Sequence, residues 1–329
     1  MRIAIDAMGG DHAPGLIVQG VVEAAREWQD TELLLVGDTA VIEPLLGGNK
    51  PANITICHAD EVIGPDDEPV KAVRRKKGAS MVVAGQLVKD KQADAMLSAG
   101  NTGALMTTGL LVVGRLEGIE RPALAPMLPT MDDIGVLALD LGANMDAKPE
   151  HLLQYAIMGS IYRSKVHGMD KPRVGLLNVG TEAKKGNELT KAAYDLIEQA
   201  PVHFIGNVEA RDILTRSCDV LVCDGFAGNI LLKAMEGTAG TLFTFLKQAF
   251  GDTLLTKLAA AIMMPKLRTL KNKLDYKEHG SAPLLGLNGL VMKCHGSSDA
   301  TAIKNAVRQA RTAVQSKLTE SIAAEISGK

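Results

Sequence analysis

A doubly wound α/β fold is what this 329-residue sequence predicts, and three observations carry the expectation. Short apolar, strand-like runs alternate with helical periodicity over most of the chain. Many of the 33 glycines fall just after an apolar run, where strand-to-helix turns belong. Aromatic residues supply only 3%, so the core has to be aliphatic, built from Leu, Val, Ile, Ala and 14 Met.

The elements follow in order. Arg2–Ala7 is a short apolar strand that runs into a Gly-Gly-Asp turn, and Pro14–Trp28 has helical periodicity. Glu32–Gly37 and Ile54–Cys57 are further strands, and Glu61–Pro69 is an acidic, proline-punctuated surface loop. Val70–Lys89 starts as a basic helix, with Lys71, Arg74, Arg75, Lys76 and Lys77, and continues apolar. Ala95–Ala99 is a strand of small residues, the next turn is Gly-Asn-Thr-Gly, and Ala104–Val113 is helical. Pro122–Leu128 and Ile134–Leu139 are apolar strands joined by a polar turn at Met131–Asp133, the pattern of a hairpin. Pro149–Val166 and Glu188–Ala200 read as helices, and Arg173–Val179, Val202–Gly206 and Val220–Cys223 as strands. Ile230–Phe250 is a long helix that Gly237 and Gly240 should interrupt. Near the carboxyl end a strand pair within residues 279–299 precedes a terminal helix from Ala300. No repeat or linker divides the chain, so residues 1–329 are taken as a single unit.

A net charge of −2 gives no global attraction to nucleic acid. Cys57, Cys218, Cys223 and Cys294 are scattered. Cys218 and Cys223 lie five apart on one expected strand, where they would face opposite sides and share no metal. Buried thiols in a reducing compartment are the simpler reading. No secretory segment follows Met1 and no apolar run approaches the ~20 residues that span a bilayer, so a cytoplasmic location is expected.

Three places share one layout: an apolar strand, then glycine with Asn, Thr or Asp, then a helix start. They are DAMGGDHAP (6–14), SAGNTGAL (98–105) and DGFAGN (224–229). In an open α/β sheet such turns bring helix N-termini, with unpaired amides, to the carboxyl edge of the strands. Gathered there they form a polar cleft for a small anion or a developing negative charge. Taken singly, each is equally well explained as a tight turn with a helix cap. GxGxxG is absent after the first strand and GxxxxGK[ST] is absent throughout, so neither a dinucleotide site nor a P-loop is indicated.

The candidate anion residues in these turns are Gly10, Asp11, His12, Asn101, Thr102, Asp224 and Gly228. A second candidate segment is GLLNVGTEAKKGN (175–187), where a strand ends at Asn178 and a polar loop carries Thr181, Glu182, Lys184 and Lys185. A lysine there is either a solvated surface charge or a mobile cation for phosphate or a carbonyl oxygen. Asn229 can donate its amide to the same oxygen. His295, before Gly-Ser-Ser, is either an acid–base group or a structural histidine. Residues 251–273 place Leu254, Leu255, Leu258, Ile262 and Met263 on one helical face beside Lys257, Lys266, Arg268, Lys271 and Lys273. That combination fits a protruding interfacial helix, and equally a subunit contact. Pro265 should break it into two short segments.

Five stretches together, MRIAIDAMGGDHAP (1–14), SAGNTGAL (98–105), GNVEARDI (206–213), DVLVCDGFAGN (219–229) and KCHGSSD (293–299), resemble the bacterial acyl-ACP:phosphate acyltransferases of phospholipid synthesis. The resemblance covers essentially the whole chain in order. It implies a three-layer sandwich like that of phosphotransacetylases and of isocitrate and isopropylmalate dehydrogenases. The implied reaction moves a fatty acyl group from acyl carrier protein to inorganic phosphate, with Lys184 and Asn229 as the catalytic pair and no cofactor or metal. It also implies a homodimer at the inner face of the cell membrane, handing acyl phosphate to a membrane glycerol-3-phosphate acyltransferase. An acidic carrier protein would dock on basic residues such as Lys266, Arg268, Lys271 and Lys273, or Arg74–Lys77. The rival readings are a phosphotransacetylase acting on acetyl-CoA and a peripheral scaffold without turnover.

Overall fold

The computed structural model describes residues 1–48, 50–251, 262–264, 266–267 and 280–328. Its strands form two sheets. The seven-stranded sheet contains β1 (Arg2–Asp6), β2 (Glu32–Gly37), β3 (Ile54–His58), β4 (Ala95–Ser98), β5 (Ala123–Leu124), β11 (Ser281–Leu285) and β12 (Leu290–Cys294), in the order β3-β2-β1-β4-β12-β11-β5. From β3 to β12 every pairing is parallel, and β11 and β5 extend that edge antiparallel. The five-stranded sheet contains β6 (Met127–Leu128), β7 (Val136–Leu139), β8 (Arg173–Asn178), β9 (His203–Glu209) and β10 (Val220–Val222), in the order β6-β7-β10-β8-β9. Only β6 runs antiparallel in it.

Helices cover the sheets as the alternating sequence requires: α1 (Gly15–Glu27), α2 (Thr39–Leu46), α3 (Pro69–Arg75), α4 (Ser80–Lys89), α5 (Thr102–Thr108), α6 (Pro149–His167), α7 (Glu188–Glu198) and α8 (Gly225–Gly251), then Ala300–Gln315 and Leu318–Ile326. This is the expected doubly wound α/β architecture. Central strands such as Ile3–Ile5, Leu33–Val36 and Val220–Val222 are buried along their whole length, because helices cover both faces of a parallel sheet. One aliphatic cluster runs through strands of both sheets, including Ile3, Leu35 and Leu97 from the first and Leu137, Val174 and Val220 from the second. Tyr155 and Tyr162 are its large aromatic members.

Several local expectations change. Val70–Lys89 is two helices, because the chain turns at Lys77-Gly78 and Gly78 N–H donates to the Glu61 carboxylate. The Met131–Asp133 turn does close a hairpin, β6 on β7, but the preceding strand divides. Its first half, β5, pairs with β11 in the other sheet, so the chain passes from one sheet to the other at Ala125-Pro126. Cys218 and Cys223 flank β10 instead of sharing it, so strand alternation does not apply, and both pack in one core cluster. Helix α8 starts at Gly225 and runs through Gly237 and Gly240 without a break. Asp224 begins it early by accepting from the N–H groups of Phe226 and Ala227, a side-chain cap. Among the described residues no helix is long and apolar enough to cross a membrane.

Candidate active site

A cleft of about 360 Å³ opens between elements of the two sheets. From the first sheet and its helices come Thr102, Leu124, Ser281, Ala282, Lys293, His295 and Gly296; from the second come Met127, Leu141, Gly142, Asn229, Leu232 and Lys233, the last paired with Glu236. The lining is mixed, apolar at Leu124, Met127, Leu141 and Leu232 and polar at Thr102, Asn229, Lys293 and His295. The ends of parallel strands bring Thr102, Asn229, Lys293 and His295 here, and the antiparallel β5, β6 and β11 add Leu124, Met127, Ser281 and Ala282.

Helix α8 carries Asn229 on its first turns. Its position depends on the backbone beside it: Gly228 is packed against the carbonyl of Asp140, where a Cβ would lie 2.1 Å from that oxygen. Asp140 is wholly buried and organises the facing loop. Its carboxylate accepts from Leu124 N–H (3.1 Å), Ala143 N–H (3.1 Å), Asn144 N–H (2.6 Å) and the Asn144 side-chain amide (3.2 Å). The Asn144 carbonyl then accepts from Gly225 N–H, 2.9 Å, joining this loop to the start of α8. Burial pushes Asp140 up to about 6, against the pull of those donors. Asp140→Asn should therefore destabilise the protein by about 1–3 kcal/mol in denaturant melts at neutral pH. An amide would point a donor at groups that already donate.

On the first sheet, Asp6 closes β1. Both its oxygens are occupied: Ser80 Oγ donates to one and Ser98 Oγ to the other, each at 2.6 Å, and Met8 N–H adds a third bond at 3.2 Å. Burial raises its pKa, and these bonds together with the Lys293 charge oppose the rise. Gly10 has φ of +115°, a left-handed turn, and the next N–H, that of Asp11, donates to Gly296 O at 2.8 Å. That bond brings the first glycine turn alongside the His295 segment. Ser297 N–H donates to His295 Nδ1 at 3.1 Å, which puts the proton of the neutral ring on Nε2.

The sequence candidates thus divide. Thr102, Asn229 and His295 line the cleft. Asn101 caps α5, accepting from Ala104 N–H and donating to Pro65 O, and Asp224 caps α8. Asp11 and His12 are exposed in the first glycine turn. Asn178 donates to Lys185 O and to Asn207 Oδ1, while the Asn207 amide donates to Glu182 O. These bonds tether the loop at Glu182 and Lys185, leaving Ala183 and Lys184 at its tip. Lys184 and Thr181 are exposed there, outside the cleft lining. The loop follows β8 and Asn229 follows β10, and these strands are adjacent and parallel. Both residues therefore lie at one edge of the second sheet.

Leu254, Leu255 and Leu258 lie outside the described residues, as do Lys257, Pro265, Arg268, Lys271 and Lys273. Ile262 and Met263 are exposed, at 75% and 45%. Sequence reasoning missed Lys293, Asp6 and Asp140. Lys293 lay inside a quoted motif, but only the strand pairing shows which residues it faces.

The fold is that of the phosphotransacetylases. The phosphotransacetylase from Streptococcus pyogenes matches with a TM-score of 0.61 at 18% identity, covering 96% of this chain and 94% of that one. The EutD phosphotransacetylase from Staphylococcus aureus matches with a TM-score of 0.59 at 16% identity, covering 96% and 94%. In sequence the chain is far more similar to proteins of another name. The phosphate acyltransferase of Oceanobacillus iheyensis is 59% identical over 326 residues, 99% of this chain and 97% of that one. That of Bacillus subtilis is 55% identical over 327 residues, 99% and 98%. The fatty acid synthesis protein family matches residues 1–321, and the chain belongs to this family of phosphate acyltransferases.

Proposed function

We propose that the protein transfers a fatty acyl group from the thioester of acyl carrier protein to inorganic phosphate, giving an acyl phosphate for phospholipid synthesis. What carries this reading is the kinship with phosphate acyltransferases at 55–59% identity over 99% of the chain. The cleft supports it, because polar groups for an anion line it together with Leu124, Met127, Leu141 and Leu232, apolar side chains suited to an acyl thioester.

A thioester is already activated, so binding phosphate beside it supplies most of what the reaction needs. A phosphate oxygen forms a bond to the thioester carbonyl carbon, making a tetrahedral oxyanion. The C–S bond then breaks, and the thiolate leaves and takes up a proton. Asn229 donates to the oxyanion from the cleft wall. Lys184 adds its charge when the tip of the 179–186 loop folds over the cleft.

In this reading the acidic carrier protein docks on a basic surface, of which the exposed Arg74, Arg75 and Lys77 are one part. The protein works as a homodimer and touches the inner face of the membrane through the region of Ile262 and Met263. From there the product reaches a membrane glycerol-3-phosphate acyltransferase.

Supplying purified protein with phosphate and long-chain acyl-ACP, long-chain acyl-CoA or acetyl-CoA in parallel tests the donor. Acyl phosphate from long-chain acyl-ACP is the expected result. Turnover with acetyl-CoA alone would make the protein a phosphotransacetylase. A folded protein without product from any donor would leave the scaffold reading.

A further inference from the structure

Lys293 has no part in the chemistry just described, yet it lines the same cleft as Asn229. It stands on β12, in register with Ser98 on β4, and Ser98 bonds Asp6 at the end of β1. Three neighbouring parallel strands therefore set a lysine, a serine and a carboxylate in a row across the edge of the first sheet. The Asp6 carboxylate accepts from Ser80, Ser98 and Met8, while the Lys293 ammonium donates to backbone carbonyls, so Asp6 acts on Lys293 through its field and not by contact.

The lysine ammonium has three donors. It donates one to Ala99 O at 3.4 Å and another to the carbonyl of Cys294, and among the described residues it forms no ion pair with a carboxylate. Burial lowers its pKa, and the Asp11 and Asp6 carboxylates offset only part of that fall. A half-buried cation compensated only at a distance is costly unless something anionic completes it. Thr102 and His295 line the cleft with it.

We propose that Lys293 is the phosphate-binding cation of the cleft, holding the nucleophile against the first sheet while Asn229 on the opposite wall receives the thioester carbonyl. The inference rests on the acyl-transfer reading and adds to it the seat of the second substrate. Ser98 and Asp6 stand beside the lysine on the neighbouring strands, where the Asp6 charge opposes the effect of burial on it without touching phosphate. Two reactants held by opposite walls meet across the cleft, which makes their encounter effectively intramolecular.

The test has two arms. In the first, phosphate and acyl-ACP dependence of acyl phosphate formation is measured for the wild type, Lys293→Met and Lys293→Arg. Losing a charged hydrogen bond to phosphate should raise the KM for phosphate about ten- to hundredfold in Lys293→Met. The KM for acyl-ACP should change little, and Lys293→Arg should recover part of the phosphate affinity. A folded Lys293→Met protein with an unchanged KM for phosphate would overturn the proposal.

The second arm needs neither a variant nor turnover. Modification of Lys293 by an amine reagent is followed by mass spectrometry in the wild type, with inorganic phosphate or with chloride at equal ionic strength. Protection by phosphate and not by chloride is expected, and equal labelling in the two salts would contradict the assignment. A wild type that shows this protection but forms no acyl phosphate would refute the acyl-transfer reading while leaving the anion site standing.

Discussion

An Asn229→Ala protein should form acyl phosphate about a hundredfold more slowly than the wild type, a loss of about 3 kcal/mol of transition-state stabilisation, and should unfold at an unchanged denaturant concentration. Both halves of that result come from the same geometry. The Asn229 side chain faces the cleft near Gly142, and among the described residues its amide makes no hydrogen bond to the protein. Truncating it therefore removes nothing that holds the fold together. A half-buried amide committed to a cap, such as Asn101, would show the reverse, with stability falling first. Steady-state kinetics beside a denaturant melt separates the two cases. Slow turnover with full stability assigns Asn229 to the reaction, whereas a normal rate would remove it from the mechanism.

The second large effect comes from one residue earlier. Gly228→Ala would set a Cβ 2.1 Å from Asp140 O, 2.7 Å from Leu141 Cδ2 and 2.8 Å from Cys223 Sγ. The oxygen is backbone, and its residue is fixed by four N–H donors, so it cannot step aside. The start of α8 must shift instead, carrying Asn229 with it. Overpacking of this kind costs about 1–3 kcal/mol. A misplacement of about 1 Å near the reacting groups can cost a further hundredfold in rate. Gly237→Ala is the control on the same helix. Nothing lies within 4 Å of a Cβ there, so it should be neutral or stabilise by up to about 1 kcal/mol. Equal melts for the two variants would mean that the Gly228 contact is not tight.

The sheet strands were legible because their covered faces demand continuous apolar runs: Glu32–Gly37 was read with its observed ends. Helix α2 was not, since Thr39–Leu46 is short, contains Pro44 and buries only Ile42 and Leu46. The glycine turns were found, but their division of labour was not. Whether an Asn caps a helix or faces a cleft depends on which atoms stand opposite, as Asn101 and Asn229 show. Gly228 reads as a candidate ligand turn, and the structure adds its close packing on Asp140 O, of which the local sequence holds no trace. Lys293 illustrates the same limit at longer range. Its meaning comes from Ser98 and Asp6, residues 195 and 287 positions away, which only the β1-β4-β12 order brings beside it.

Phosphate meeting an intact thioester in the cleft is best examined by mixing excess wild-type protein with long-chain acyl-ACP in a single turnover and measuring free carrier thiol and protein-bound acyl group. Without phosphate, thiol should stay at background; with phosphate, each thiol released should be matched by one acyl phosphate. Stoichiometric thiol release in the absence of phosphate, with the acyl group covalently attached to the protein, would contradict direct attack.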